Sequence, residues 1–150
     1  MASQRLIAAT FTLLLLSCAG EPPASLGLHG STLSPCPASP NCVSSDAADP
    51  SHRVPPFELA IPSPEAWQIA GSAVSSLPRT VVVVQTPDYL HAECSSALFG
   101  FVDDLELQLR APERLIAVRS ASRLGYSDLG VNRARVEALR TLLVQAGVIR

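Results

Sequence analysis

From Asp104 to Leu109 polar and apolar residues alternate without interruption, with Leu105, Leu107 and Leu109 on one face and Asp104, Glu106 and Gln108 on the other. A period of two is that of an extended strand with one face on a core, so Phe99–Leu109 reads as a strand. Ala111-Pro112-Glu113-Arg114 turns the chain, and Leu115–Ser120 returns as a second strand. Upstream, the β-branched run Val81–Gln85 and the stretch Tyr89–Ser95 are separated by Thr86-Pro87-Asp88, which predicts another antiparallel hairpin.

Two segments carry the helical period instead. Ser63-Pro64-Glu65 offers a capping hydroxyl, a proline at the first helical position and an acid in the first turn. Trp67, Ala70, Val74 and Leu77 follow at helical spacing until Pro78. The second helix is expected from near Val131 to just before Gly147, with Val136, Leu139, Leu143 and Ala146 as its buried stripe. The predicted fold is therefore α+β, with a four-stranded, mainly antiparallel sheet and two helices packed on one face.

A chain of 150 residues, 47% hydrophobic and 16% charged, suits one small domain plus processing sequence. All 11 basic residues are arginines, and they are unevenly placed. Between Cys18 and Leu109 two arginines face ten acids; from Arg110 onward eight arginines face three acids. Such polarity either knits the two halves together or presents a positive pocket to an anion. With an acidic total and no basic run interleaved with aromatics, a nucleic-acid partner is not expected.

Near the amino terminus Arg5 precedes an apolar run, Leu6–Leu16, of the length of a secretory signal core and too short to span a bilayer. Leu15-Leu16-Ser17-Cys18 resembles the bacterial lipoprotein box, which implies cleavage before Cys18 and attachment there of lipid, palmitate or a similar acyl chain. Ala19 is similar to the residue that sends such proteins to the outer membrane. The expected organisation is a signal peptide over 1–17, a flexible tether over 18–32 and one domain over 33–150. The expected location is the bacterial cell envelope, on the outer membrane facing the periplasm.

Ten of the 13 prolines fall between Pro22 and Pro64, and this region lacks a sustained apolar period. Residues 33–62 are therefore expected to wrap the domain in an extended form. Within them, Cys36 and Cys42 flank two prolines and an asparagine. A disulfide is the expectation in an oxidising compartment; a reduced pair and metal ligation are the alternatives. Cys94 alternates with Leu90 and Ala92 and reads as a small core residue.

Hydrogen-bonding side chains are densest between Ser120 and Arg140, where a strand end, a glycine-bounded loop and a helix start follow one another. Loops so placed are common ligand sites, because backbone donors and side chains converge there. Asp103 shares the apolar face with Leu105 and so needs a partner. Pairing across the turn puts it opposite positions 120 to 122, close to Arg119. A register-fixing ion pair is one reading; capture of an anion by Arg119 and Arg123, oriented by Asp103, is the other. His91 and Glu93 share a face of the preceding strand, as an exposed polar pair or a functional dyad. Tyr126, Asp128, Asn132 and Arg133 complete the candidate ligand-binding set, with Asp128 or Ser127 also able to cap the last helix and Gly125 and Gly130 suited to positive φ.

On paper His91, Asp103 and Ser120 or Ser122 make a hydrolase triad, and His91, Glu93 and Asp103 a metal site, but no nucleophile elbow accompanies them. No catalytic residue, metal site or cofactor is assigned. A binding or structural role is expected, with a lipid-anchored attachment to the membrane and an unidentified small anionic ligand or protein partner; a hydrolase or metal-assisted enzyme using His91 and Asp103 is the alternative.

Cys36-Pro37 with Ser39–Ser45, Tyr89–Glu93, Phe99–Asp104 and Arg119 through Arg133 together resemble the domain-of-unknown-function family numbered 1499, over roughly Leu33 to Gln145. The resemblance implies a bacterial envelope lipoprotein of no established activity. Cys94 stands where a bulkier or aromatic residue would be expected.

Overall fold

The computed structural model describes residues 20–150, so the signal run and Cys18 lie outside the described residues. In chain order the elements are β1 (Leu28–His29), β2 (Thr32–Leu33), β3 (Cys42–Ser44), β4 (Phe57–Glu58), α1 (Ser63–Ser76), β5 (Thr80–Gln85), β6 (Tyr89–Ser95), β7 (Val102–Arg110), β8 (Leu115–Ser122) and α2 (Val131–Gln145). The four long strands are those expected, and they pair antiparallel in the order β5, β6, β7, β8.

The sheet has six strands, not four. The far edge of β8 is covered by two short strands, β3 opposite Arg119–Ala121 and β4 opposite Leu115 and Ile116. Strands of two and three residues carry no readable period; the exposed edge of β8 creates them by accepting their backbone groups. A separate two-stranded ribbon joins β1 to β2.

Both helices lie on one face of the sheet, as expected. From α1 come Ala66, Trp67, Ala70 and Val74; from α2 come Val136, Leu139 and Leu143, and they meet Leu90, Leu105, Leu107, Ile116 and Val118 of the strands. Ser63 does not cap α1, whose first residue it is. Ala146 does not join the buried stripe: it is exposed just past the end of α2, where Gly147 turns back at φ 69° and Val148 and Ile149 enter the core instead. A register shift between Val82 and Val84 puts a bulge in the edge strand β5. Among the described residues no helix is long and apolar enough to cross a membrane.

Cys36 and Cys42 are disulfide-bonded, with Cα atoms 5.6 Å apart. Cys94 is buried in the core beside Ala92 and Leu90, and burial pushes its thiol above the ordinary range. Residues 20–34, which the sequence suggests are largely tether, lie along the sheet face remote from the helices. The Gly27 N–H donates to Glu106 Oε1 at 2.8 Å, and the Gln108 amide donates to the Ser31 carbonyl at 3.1 Å.

Candidate functional site

Alternation in the strands sorts the polar side chains into two groups. Glu93, His91 and Tyr89 of β6, Asp104, Glu106 and Gln108 of β7 and Arg119 of β8 point away from the helices, as the register Glu93↔Asp104, His91↔Glu106 and Glu106↔Arg119 requires. Around β7 this face is closed to solvent. Segment 20–34 covers it, leaving Glu106 at 0% exposure and Asp104 at 1%.

Buried charge must be paired, and here every acid of the layer finds a donor. Arg119 Nη1 reaches Glu106 Oε2 at 2.8 Å, and the Tyr89 hydroxyl donates to Glu106 Oε1 at 2.8 Å. Arg123 grips Asp104 through Nε at 3.0 Å and Nη2 at 2.7 Å, and donates also to Glu93. His91 Nε2 lies 2.8 Å from Asp104 Oδ1. Burial pushes the Asp104 carboxyl upward, but hydrogen bonds from His91 and Arg123 and the Arg123 charge outweigh it and hold it below the usual carboxylate range. Burial first, and the Glu106 charge second, drive the Tyr89 hydroxyl far above its ordinary range. The Nε of Arg119 is the buried side-chain donor left without a partner among the described residues.

The second group sits under the start of α2, on the helix side. Asp103 pairs with Ser122 across β7 and β8, not with Arg119, and its carboxylate binds Arg135 Nη2 at 2.6 Å. The strands pair within the expected range, Asp103 meeting Ser122, but the expected Asp103–Arg119 pair does not form: the two residues lie on opposite faces, and Glu106 stands opposite Arg119. The same parity separates His91 from Asp103, so the paper triad and the His91–Glu93–Asp103 metal site do not assemble. Among the described residues no group of three or more His, Cys, Asp or Glu side chains could hold a metal ion.

Asn132, fully buried, is the hub of this second group. Its amide donates to the Asn41 carbonyl, Ser122 Oγ and Asp128 Oδ2, and its carbonyl oxygen accepts from Ser120 Oγ and Arg135 Nη1 at 2.6 Å each. Asp128 accepts the backbone N–H groups of Gly130 and Asn132, both at 2.9 Å, which satisfies the first turn of α2. Although burial works against it, those donors hold the Asp128 carboxyl below its usual range. Gly125 and Gly130 adopt positive φ, at 89° and 84°. Tyr126 points to solvent, and Arg133 is drawn off to the carbonyls of Ser51 and Arg53.

The candidate ligand residues thus divide three ways. His91, Glu93, Arg119 and Arg123 belong to the covered layer, Asp103, Asp128 and Asn132 to the cluster under α2, and Tyr126 and Arg133 to neither. What remains open beside the junction is a cleft of about 370 Å³ lined by Asp103, Arg135, Val131, Ala134 and Ala138 on one side and Leu77, Arg79, Thr80 and Cys94 on the other. A more open hollow of about 680 Å³ at the other end of the sheet, around Trp67, Pro87 and Leu109, has no titratable side chain in its lining. Sequence reasoning missed Tyr89, Asp104, Glu106 and Arg135; the adjacent acids 103 and 104, one per face, were the signal available.

A model of the family described as protein of unknown function, DUF1499, matches residues 32–143. The chain belongs to the DUF1499 family. No curated protein and no solved structure matches it. The matched span of the DUF1499 family runs from β2 through Leu143 of α2, and so includes both polar groups and the cleft.

Proposed function

We propose that this chain is a lipid-anchored bacterial envelope protein, attached through Cys18 on the periplasmic side of the outer membrane, that binds a small ligand and catalyses no reaction. The lipoprotein-like Leu15-Leu16-Ser17-Cys18 and the Cys36–Cys42 disulfide support the location, since such bridges persist in oxidising compartments. The ligand site is the cleft beside the β8–α2 loop, not the open loop itself.

The observation that carries it is the cleft of about 370 Å³ with the Asp103–Arg135 pair at one wall and Leu77, Ala134 and Ala138 at the others. Arg119 and Arg123 are enclosed with their carboxylates, whereas Arg135, also paired, borders open volume. A ligand with an anionic group takes Arg135 in competition with Asp103 and lays its apolar part against the alanines. This is the usual composition of a small-molecule site, apolar walls with one or two polar anchors.

Melting curves of the purified protein against a panel of small carboxylates and phosphates test it. At least one should raise the midpoint, and Arg135→Gln and Ala138→Trp, the latter filling the cleft from an exposed rim position, should each abolish that rise. A panel without effect, or a rise that survives both substitutions, overturns the proposal.

A further inference from the structure

The two loops at the end of the sheet where α2 begins are unusual in composition. The β6–β7 loop exposes Leu98 (86%), Phe99 (69%) and Phe101, and the β8–α2 loop exposes Leu124, Tyr126 (76%) and Leu129 (95%). These account for half of the exposed large apolar side chains among the described residues. Large apolar groups that protrude together in this way mark a surface meant to be covered.

Both loops are at the same end. The Arg123 N–H donates to the Val102 carbonyl, joining the end of β8 to the start of β7, and the Ser96 N–H donates to the Phe101 carbonyl within the first loop. The tips also carry almost no free charge. Residues 96–101 have none; in the second loop Arg123 turns inward to Asp104 and Glu93, and Asp128 is consumed by the α2 amides. Covering these tips with hydrocarbon strands no unpaired ion.

What covers them follows from where the chain leaves the domain. Gly20, the first described residue, sits on the same loop: its carbonyl accepts from Arg123, and a Cβ at Gly20 would lie 3.1 Å from Leu124 Cγ. Cys18 is two residues upstream, a backbone reach of at most about 7 Å. Since 20–34 lies against the sheet, no slack separates anchor from domain.

We infer that this end of the domain docks on the lipid bilayer, with Leu98, Phe99 and Leu129 entering the acyl region and Tyr126 at the headgroup level, around the point where the lipid-bearing Cys18 enters the membrane. The inference rests on the lipid-anchor reading, and it replaces a domain held clear of the membrane by one seated on it in a fixed orientation. Aromatic side chains with one polar end suit that boundary.

Full-length protein processed in a bacterial envelope is purified and reconstituted into vesicles of phosphatidylethanolamine and phosphatidylglycerol, half of the lipid brominated on the acyl chain. Native Trp67, the single tryptophan, is buried at the other end of the sheet and serves as the unquenched control. Phe99→Trp and Leu129→Trp should each lose at least half of the added emission to bromine, and Val144→Trp, on an exposed flank of α2, should lose almost none. The intact mass of the same samples reports acylation. Acylated protein with unquenched tips overturns docking and leaves the anchor standing; quenched tips on unacylated protein keep docking and overturn the anchor. Tips that are unquenched but buried in a dimer, seen as a blue-shifted emission and doubled mass in solution, assign the surface to a second copy and also overturn the proposal.

Discussion

The two faces of the sheet are both buried, by opposite means. On one, Leu90, Leu105, Leu107, Ile116 and Val118 meet the apolar stripes of α1 and α2; on the other, Asp104, Glu106, Gln108, Arg119 and His91 lie beneath a segment that begins at Gly20. The first face is stabilised by removal of apolar surface from water, which is non-directional and tolerates repacking. Stability of the second depends on each buried acid meeting its donors, so the loss of one partner is costly. Identical strand alternation therefore gives a forgiving side and a brittle one.

The contrast breaks most visibly at the Glu106–Arg119 pair. Glu106→Ala strands a guanidinium that is 4% exposed and should cost about 3–5 kcal/mol in urea unfolding. Replacing both partners, with Glu106→Leu and Arg119→Met, should recover part of that loss, the Tyr89 hydroxyl and the Gly27 N–H still lacking their acceptor. Leu107→Ala on the helix side should cost about 2–5 kcal/mol, set by the cavity it leaves and not by a stranded charge. A double replacement no more stable than Glu106→Ala would show that the stranded guanidinium is not the source of the loss.

Acid sharpens the same comparison. The folded Asp104 carboxyl is held below its unfolded value of 3.8, so the unfolded chain takes up the proton first. Its stabilising contribution is present above that value and is lost as pH falls through the folded one. Unfolding free energy measured between pH 5 and about pH 2 should drop, and Asp104→Asn should flatten the drop while Leu107→Ala leaves its slope unchanged. The smallest effect is expected at the α2 start, where Asp128→Ala removes the carboxylate that accepts two backbone N–H groups and should cost about 1 kcal/mol.

Much of the helix side was legible because period and packing coincide there. The alternation of Asp104–Leu109 and the spacing of Trp67, Ala70 and Val74 each mark residues that the core takes up. The short strands β3 and β4 were not legible, since their conformation comes from the β8 edge and not from their own residues. The covered layer was hidden for a subtler reason. Alternation separates two faces but does not say that the polar one is wet, and nothing in the composition of 20–34 announces a lid. A pairing known to within a few residues was also insufficient, because Asp103 meets Ser122, three residues from Arg119, and that odd offset puts the two on opposite faces.

The bulge in β5 has its consequence in how the molecule keeps apart from its neighbours. Val81–Val84 is a β-branched run on an outer strand, the composition that zips readily into intermolecular ladders. By leaving Val83 out of register, the bulge interrupts the row of amides that an approaching chain would need, and makes the border of the sheet a poor template for fibre growth.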